Sequence, residues 1–186
     1  MKKRKFRYNI VVSGASKIKG CEWGTKKKAT EIGKYIAQND CALVSGATTG
    51  ASYYAAVGSR NAGGFNIGFS PAASRSAHAK TFKLPLEPFD LMVYTGADYA
   101  GRDIIMTKGA DAVIIICGRT GTMHEFLTAV ETRKIIGILE GTGGAADHVR
   151  ELLREFKKQP KAPLIYETDP KLLIEKVIEK IEKKFK

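Results

Sequence analysis

The chain has 186 residues and a hydrophobic share of 44%, which fits one globular domain with a sizeable core and excludes an intrinsically disordered protein. No apolar run approaches the ~20 residues that a membrane-spanning helix needs, and the first apolar run is too short for a secretory leader, so we expect a cytoplasmic location. The formal net charge of +12 has its excess in residues 1–7, in residues 26–28 and along the last helical pattern; we attribute it to solubility and attraction of anionic metabolites, and expect neither nucleic acid nor a membrane as partner.

Short apolar runs alternate with helical patterns along the chain. The predicted strands cover residues 8–14, 41–46, 65–71, 91–96, 111–117, 135–141 and 162–167. The predicted helices cover residues 25–39, 51–63, 101–110, 125–134, 145–159 and 169–186. Residues 72–88 contain too much serine and proline for either element and are predicted to form a loop. Asp169 and Pro170 are an N-cap and a first-turn proline for the last helix.

This alternation is typical of a parallel sheet covered by helices on both faces. The fifth predicted strand is a continuous Val and Ile run, which indicates burial on both of its faces. We therefore predict an α/β fold with a doubly wound, mostly parallel sheet in a Rossmann-like three-layer α/β/α arrangement. Residues 1–7 are expected to be a basic N-terminal extension and residues 8–186 a single Rossmann-like nucleotide-binding domain.

Glycine-containing turns follow five of the predicted strands, at residues 13–20, 45–50, 95–101, 117–122 and 140–144. Ligands of open α/β sheets bind outside the carboxyl ends of the strands, so these turns are expected to share one rim. The candidate ligand residues of the first two turns are Gly14, Gly46, Thr48, Thr49 and Gly50. The first turn lacks the full G-x-G-x-x-G pattern that favours a dinucleotide.

The turn CGRTGT directly precedes a helical pattern. Glycine allows close approach of the backbone to a ligand, and a helix N-terminus offers free N–H groups to a phosphate. If the helix begins near Thr122, the amides of residues 121–123 and the Thr122 hydroxyl are placed to hold a phosphate. The alternative is that Thr122 is only an N-cap, with Glu125 closing a capping box. The candidate phosphate-binding residues here are Gly118, Arg119, Thr120, Gly121 and Thr122.

Residues 117–125 resemble the P-G-G-x-G-T-x-x-E signature of the Lonely Guy (LOG) family, nucleotide phosphoribohydrolases formerly labelled lysine decarboxylases, and of the related SLOG nucleotide-binding proteins. Residues 45–52 are similar to the family's G-G-G-x-x-G-L-M turn. Residues 66–71 resemble its G-I-x-P strand end, and residues 101–111 its R-K-x-x-M-x-x-x-x-D helix. GTGG at 141–144 is similar to a small uncharacterised subgroup. The resemblance covers roughly residues 8–157.

The resemblance implies hydrolysis of a nucleoside 5'-monophosphate to free base and ribose 5-phosphate, with Glu125 and Arg102 as the catalytic residues. A carboxylate beside the sugar stabilises the oxocarbenium character of such a reaction. The alternative is a non-catalytic nucleotide sensor or a carrier of a phosphorylated cofactor such as molybdopterin. Whether the protein is an enzyme stays open at this point. The resemblance also implies a homodimer or higher oligomer.

Several positions depart from the family pattern. Cys117 replaces the proline and Arg119 the second glycine of the signature, while Ser45 and Ala47 replace two glycines of the earlier turn. An arginine at position 119 either clamps a phosphate or fills space that a nucleotide needs. Retention of the Arg102 and Glu125 pair favours hydrolysis, whereas the changes at 117 and 119 favour binding without turnover.

Other polar residues give weaker signals. Asp98 and Asp103 either position Arg102 or are solvated acids at a helix start, of which the second is favoured. His124 is expected to point ~100° away from Glu125 around the helix, so a cooperative pair is not expected. Tyr53 and Tyr54 either stack on a base or pack in the core.

No metal site and no resident cofactor are expected. The three cysteines show no C-x-x-C spacing, so we predict reduced thiols without a disulfide framework or a zinc site. No lysine lies in a buried strand-end context suited to pyridoxal phosphate, which sets the decarboxylase label aside.

Overall fold

The structure, a computed structural model, describes residues 6–157 and 160–184. Residues 1–5, most of the predicted basic extension, lie outside the described residues, as do the predicted helix ends at 158–159 and 185–186. Seven strands form the sheet: β1 Asn9–Gly14, β2 Ala42–Ser45, β3 Phe65–Ser70, β4 Leu91–Tyr94, β5 Ala112–Ile116, β6 Ile135–Leu139 and β7 Leu164–Glu167. The α-helices within the described residues are α1 Thr25–Gln38, α2 Ala51–Asn61, α3 Asp98–Lys108, α4 Thr120–Glu131, α5 Gly144–Glu155 and α6 Pro170–Lys184.

All six strand pairings are parallel, in the order β4-β3-β2-β1-β5-β6-β7. The chain crosses from the β4 edge back to the centre, so the order reverses between β1 and β5. The register at this switch pairs Val12 with Ile114 and Gly14 with Ile116. The predicted Rossmann-like fold is confirmed, and the sheet is parallel throughout.

Helices cover both faces of the sheet. One core cluster joins the sheet to α1, α2 and α6, and the other joins it to α3, α4 and α5. The strands β1, β2, β5 and β6 are almost entirely buried, as their Val and Ile content predicts. Helices α1 and α2 pack closely because Gly33 lies on the Ala55 carbonyl, where a Cβ would come within 1.7 Å of the oxygen.

The region predicted as a loop, residues 72–88, contains one helical turn at Ala77–Thr81. His78 explains this turn: it is fully buried, with Nδ1 2.8 Å from Ser70 Oγ and Nε2 3.0 Å from the Pro85 carbonyl oxygen. The histidine thus ties the segment to the end of β3. At the last helix, the Leu172 amide donates to Asp169 Oδ1 at 2.8 Å, which confirms the predicted cap. No helix within the described ranges is long and apolar enough to cross a membrane.

Candidate functional site

A cavity of about 480 Å³ opens at the carboxyl ends of β1, β2 and β5, beside the switch in strand order where ligands of such sheets bind. This volume is in the range of small-molecule sites. Its lining consists of Val12, Ser13, Gly14, Ala15, Ser16, Gly46, Thr48, Thr49, Ser52, Leu84, Tyr99, Arg102, Asp103, Arg119, Thr120, Gly121, Thr122 and Glu125.

A buried charged cluster forms one wall of the cavity. Arg102 Nη1 lies 2.8 Å from Asp103 Oδ1 and 3.5 Å from Glu125 Oε1. The Ser13 hydroxyl donates to Glu125 Oε2, and His124 Nδ1 lies 3.3 Å from Asp103 Oδ2. Asp103 therefore positions Arg102, contrary to the favoured expectation of a solvated acid; Asp98 is exposed, as expected. His124 contacts Asp103 and makes no pair with Glu125.

Gly46 provides the space for this cluster. A Cβ at this position would lie 1.9 Å from Arg102 Nη1 and 2.5 Å from its Cζ. The guanidinium thus lies flat on the glycine backbone at the end of β2. The glycine of this turn is required by the protein's own arginine, whether or not a ligand is bound.

The electrostatics of the cluster determine the charge of Glu125. Burial raises the pKa of Glu125 to about 8, and the Asp103 carboxylate also raises it, while the Ser13 hydroxyl and Arg102 act in the opposite direction. Arg102 lies closer to Asp103 than to Glu125, so Asp103 is its main counter-ion. At neutral pH the Glu125 carboxyl is therefore mostly protonated, and the cluster is close to neutral.

A second wall of the cavity is the N-terminus of α4, here called the α4 wall. The N-cap residue, Arg119, makes no side-chain cap hydrogen bond, and the amides of Thr120, Gly121 and Thr122 have no backbone acceptor among the described residues. These first-turn donors carry the positive end of the helix dipole. The Met123 amide donates to the Arg119 carbonyl at 2.9 Å and is not available to a ligand.

Helix α4 begins at Thr120, two residues before the predicted start near Thr122 and five before the helical pattern at 125–134, and this overturns the capping-box alternative. Thr122 is the third residue of α4 and not its N-cap. The Glu125 side chain turns to Ser13 and Arg102, away from the helix start. Thr122 and Glu125 both line the cavity.

Ten of the twelve predicted site residues line this cavity, and Gly50 and Gly118 do not. Both glycines have a structural reason. Gly50 has φ +82, and a Cβ there would lie 2.0 Å from the Ala15 carbonyl oxygen; Gly118 has φ +103, and a Cβ would lie 2.4 Å from Thr122. Both glycines therefore allow the backbone conformation of their turns without lining the cavity. The functions of all twelve residues remain predictions.

Sequence reasoning missed several lining residues: Ser13, Ser16, Ser52, Leu84 and Tyr99. The two serines of the first turn carried a usable signal, because they flank Gly14 at a strand end. Leu84 carried none, since it arrives from the segment after β3, whereas Tyr99 lies within the predicted strand-end turn at residues 95–101 and was overlooked there. Tyr53 and Tyr54 are absent from the lining; Tyr54 packs against the core.

Arg119 lies at the margin of the cavity. It is exposed, and its Nη2 rests against Gly20, where a Cβ would be 2.9 Å away. No ion pair of Arg119 is found within residues 6–157 and 160–184. This arrangement favours the first of the two alternatives for Arg119: its guanidinium is available to bind an anion, and its side chain does not fill the cavity.

The cysteine prediction was wrong for two of the three thiols. Cys21 and Cys117 form a disulfide, with a Cα–Cα distance of 5.8 Å and a sequence separation of 96 residues. The parallel sheet brings the turns after β1 and β5 side by side, which spacing along the chain cannot reveal. Cys41 is free and buried, as expected.

The fold and the rim cavity define a Rossmann-like α/β protein with a cavity at the strand switch. The chain belongs more narrowly to the SLOG cluster4 family, whose profile matches residues 7–174. This result confirms the resemblance found in the sequence motifs. Among curated proteins, none matches the chain significantly.

Several solved structures share the fold. A protein designated TM1055 is 24% identical, with a TM-score of 0.79 over 95% of this chain and 99% of its own. The molybdenum cofactor binding protein from Rippkaea orientalis is 23% identical, with a TM-score of 0.72 over 97% and 98%. The molybdenum cofactor carrier protein from Chlamydomonas reinhardtii is 23% identical, with a TM-score of 0.73 over 93% and 97%.

A more distant neighbour is DNA processing protein A from Helicobacter pylori, described for its single-stranded DNA binding mode. It is 18% identical, with a TM-score of 0.61 over 93% of this chain and 81% of its own. At these identities the likenesses concern the fold alone. The expectation that nucleic acid is not a partner thus remains a prediction.

Proposed function

We propose that the protein binds a phosphorylated small molecule of the nucleotide class, with its phosphate at the N-terminus of α4. The observation that carries this proposal is the set of uncommitted donors on one wall of the cavity: the amides of residues 120–122 and the Arg119 guanidinium. Backbone N–H groups at a helix start and a bidentate guanidinium are both well suited to phosphate oxygens. The Thr122 hydroxyl adds a further donor.

The other rim residues fit the remainder of such a ligand. Gly14, Thr48 and Thr49 line the cavity, close in sequence to the N-terminus of α2, where the Ala51 amide already donates to the Ala15 carbonyl at 2.8 Å. A nucleotide and a phosphorylated pterin cofactor each contain a phosphate and a planar ring, so both ligand types are compatible with this proposal. The structural likeness to molybdenum cofactor proteins supports including the second ligand type.

A hydrolase is the second candidate, and the buried Arg102 and Glu125 pair favours it. Both side chains line the cavity, where Glu125 would stabilise positive charge developing on a ribose. This role requires the carboxylate form. Since burial holds the pKa of Glu125 at about 8, the rate of base release would rise as the pH passes through that value.

The test combines calorimetry with product analysis. The purified protein is titrated with AMP, GMP and inorganic phosphate, and the same nucleotides are assayed for released base by chromatography. Arg119→Met should weaken nucleotide binding by about tenfold or more, because one charge-assisted hydrogen-bonding group is lost. Arg133→Met is the matched control, since Arg133 lies beyond the C-terminus of α4.

Each outcome decides between the candidates. Saturable binding without base release supports a sensor or carrier, whereas release that disappears in Glu125→Gln supports the hydrolase. Binding that Arg119→Met leaves unchanged would contradict the proposed phosphate position. The homodimer and the cytoplasmic location belong to the same proposal, and sedimentation analysis of the native protein tests the first.

A further inference from the structure

An exposed basic segment lies beside the cavity and is not used by the proposed function. Residues 17–28, here called the basic loop, connect β1 to the first turn of α1. They contain five lysines, at positions 17, 19, 26, 27 and 28, and one acidic residue, Glu22. They also contain Trp23, the single tryptophan of the chain, with a relative exposure of 99%.

The backbone of the basic loop is held on both sides of Trp23. Cys21 is bonded to Cys117, and the Glu22 amide donates to the Thr142 carbonyl at 3.1 Å. After the tryptophan, Gly24 caps α1 with φ +84, and Thr25 Oγ1 donates to the Glu22 carbonyl at 2.7 Å. The indole is therefore presented to solvent by anchored neighbours, and it forgoes the stabilisation that burying a large aromatic provides.

The lysines of the basic loop are not explained by helix stability. Lys26 to Lys28 occupy the first turn of α1, and this turn contains no acidic residue. Cations at the positive end of the helix dipole are unfavourable. No ion pair of these five lysines is found in the part of the chain that the structure describes. Lys26 Nζ lies 4.6 Å from the centre of the Tyr54 ring, and Lys28 Nζ donates to the Gly141 carbonyl at 3.4 Å. The charges of the basic loop are thus not neutralised by carboxylates of the described residues.

We propose that the basic loop binds single-stranded nucleic acid, with an unpaired base stacked on Trp23 and backbone phosphates on the lysines. Stacking on an exposed aromatic ring together with cations along the backbone is the general mode of single-strand recognition. A duplex hides its base faces, and an acidic peptide would use the lysines without the indole. This proposal departs, for this segment, from the expectation that the positive charge serves solubility and attraction of anionic metabolites and that nucleic acid is not a partner.

The basic loop also continues into the cavity margin. Arg119 rests on Gly20 within this loop and lines the cavity at the same time. A strand lying on the loop would therefore run toward the cavity mouth. The loop and the cavity remain separate sites with separate tests, because Trp23 and the lysines are absent from the cavity lining.

The single tryptophan makes the test direct. The intact protein is titrated with a 12-nucleotide oligo(dT) at low salt, and Trp23 emission should be quenched saturably. Binding of a labelled oligo(dT), followed by anisotropy, should weaken about tenfold or more in Trp23→Ala, because base stacking on an aromatic is worth about 1–3 kcal/mol. Lys26→Gln with Lys27→Gln should weaken binding and reduce its salt dependence.

The matched control is Lys180→Gln with Lys183→Gln, two exposed lysines near the C-terminus of α6. It removes the same charge and should leave binding nearly unchanged. Equal loss in both double variants, equal affinity for a duplex or a polyglutamate peptide, or no saturable quenching would each overturn the proposal. Retained AMP titration behaviour and circular dichroism in Trp23→Ala show that the fold is intact.

Discussion

The two walls of the rim cavity are built in opposite ways. On the α4 wall, Arg119 is exposed and the first amides of the helix have no partner in the described part of the chain. On the other wall, Arg102, Asp103 and Glu125 are buried and contact one another. Both walls carry charge, but only on the buried wall are the charges paired with each other.

This difference separates residues that serve a ligand from residues that serve the protein. Groups on the buried wall contact one another without a ligand, with Arg102 Nε the one buried polar atom of the cluster that has no hydrogen-bond partner among the described residues, so changes there should appear first as lost stability. Groups on the α4 wall gain partners only on binding, so changes there should appear as lost affinity with little effect on folding. The predictions below test this division, beginning with the largest expected effect.

Removal of the buried cation should be the most damaging change. Arg102→Met leaves the Asp103 carboxylate without its main counter-ion, and we expect the free energy of unfolding to fall by about 3–5 kcal/mol. Chemical denaturation of the variant and of the native protein measures this loss. The matched change on the α4 wall, Arg119→Met, should alter the free energy of unfolding by less than about 0.5 kcal/mol. Equal losses in the two variants would abolish the distinction between the walls.

Loss of the disulfide should have the next largest effect on stability, because this bond ties the turn after β1 to the turn that leads into the α4 wall. Its loss in Cys21→Ser with Cys117→Ser should cost about 2–4 kcal/mol, measured by guanidinium denaturation. Reductant should lower the stability of the native protein toward that of the double variant. Reductant should have no effect on the stability of the double variant. A native protein whose stability does not respond to reductant would contradict the assignment of the disulfide.

Glu125 gives the buried wall a pH dependence. Its pKa in the folded chain is about 8, above the ordinary value of 4.5, so the unfolded chain releases this proton first as pH rises. The contribution of Glu125 to stability is therefore complete below pH 4.5 and is lost progressively as pH rises through about 8. Glu125→Gln should remove this loss. Denaturation curves of both proteins across this range measure it, and parallel pH profiles would refute the raised pKa.

The smallest expected change in stability is at Gly121 on the α4 wall. A Cβ added there meets no atom within 4 Å, so Gly121→Ala should fold at least as well as the native protein, with a gain of up to about 1 kcal/mol. Its methyl group would enter the space facing the cavity, and we expect weaker nucleotide binding by calorimetry. Gly118→Ala is the contrast, because the added Cβ would lie 2.4 Å from Thr122 and should destabilise the fold. Unchanged affinity in Gly121→Ala would show that the ligand does not approach this backbone.

Much of the fold was readable in the sequence because parallel strands buried on both faces leave continuous Val and Ile runs. The position of the cavity was readable too, since a glycine turn at a strand end is visible in the chain and strand ends share one edge of the sheet. The family motif supplied the pairing of Arg102 with Glu125. These features depend on local pattern and on one general rule of sheet topology.

The remainder depends on contacts that local pattern does not encode. Asp103 was recognised only as a neighbour of Arg102, because the burial that makes it a counter-ion arises from packing of α3 on α4. The Cys21–Cys117 bond joins turns on neighbouring strands that are far apart in sequence. The start of α4 was misplaced by two residues, since Thr120 and Thr122 are both acceptable first-turn residues and the backbone alone distinguishes them.

The switch in strand order also has a consequence for how the protein acquires its binding capacity. Ser13, Gly46, Arg102 and Glu125 reach the cavity from four widely separated stretches of the chain, and Glu125 joins the other three only when β5, which leads into α4, has paired with β1. A fragment ending before β5 would lack Glu125 and the N-terminus of α4, and so would present only part of the cavity lining. A ligand held by both parts of the lining would therefore bind the completed fold most tightly and shift the folding equilibrium toward it.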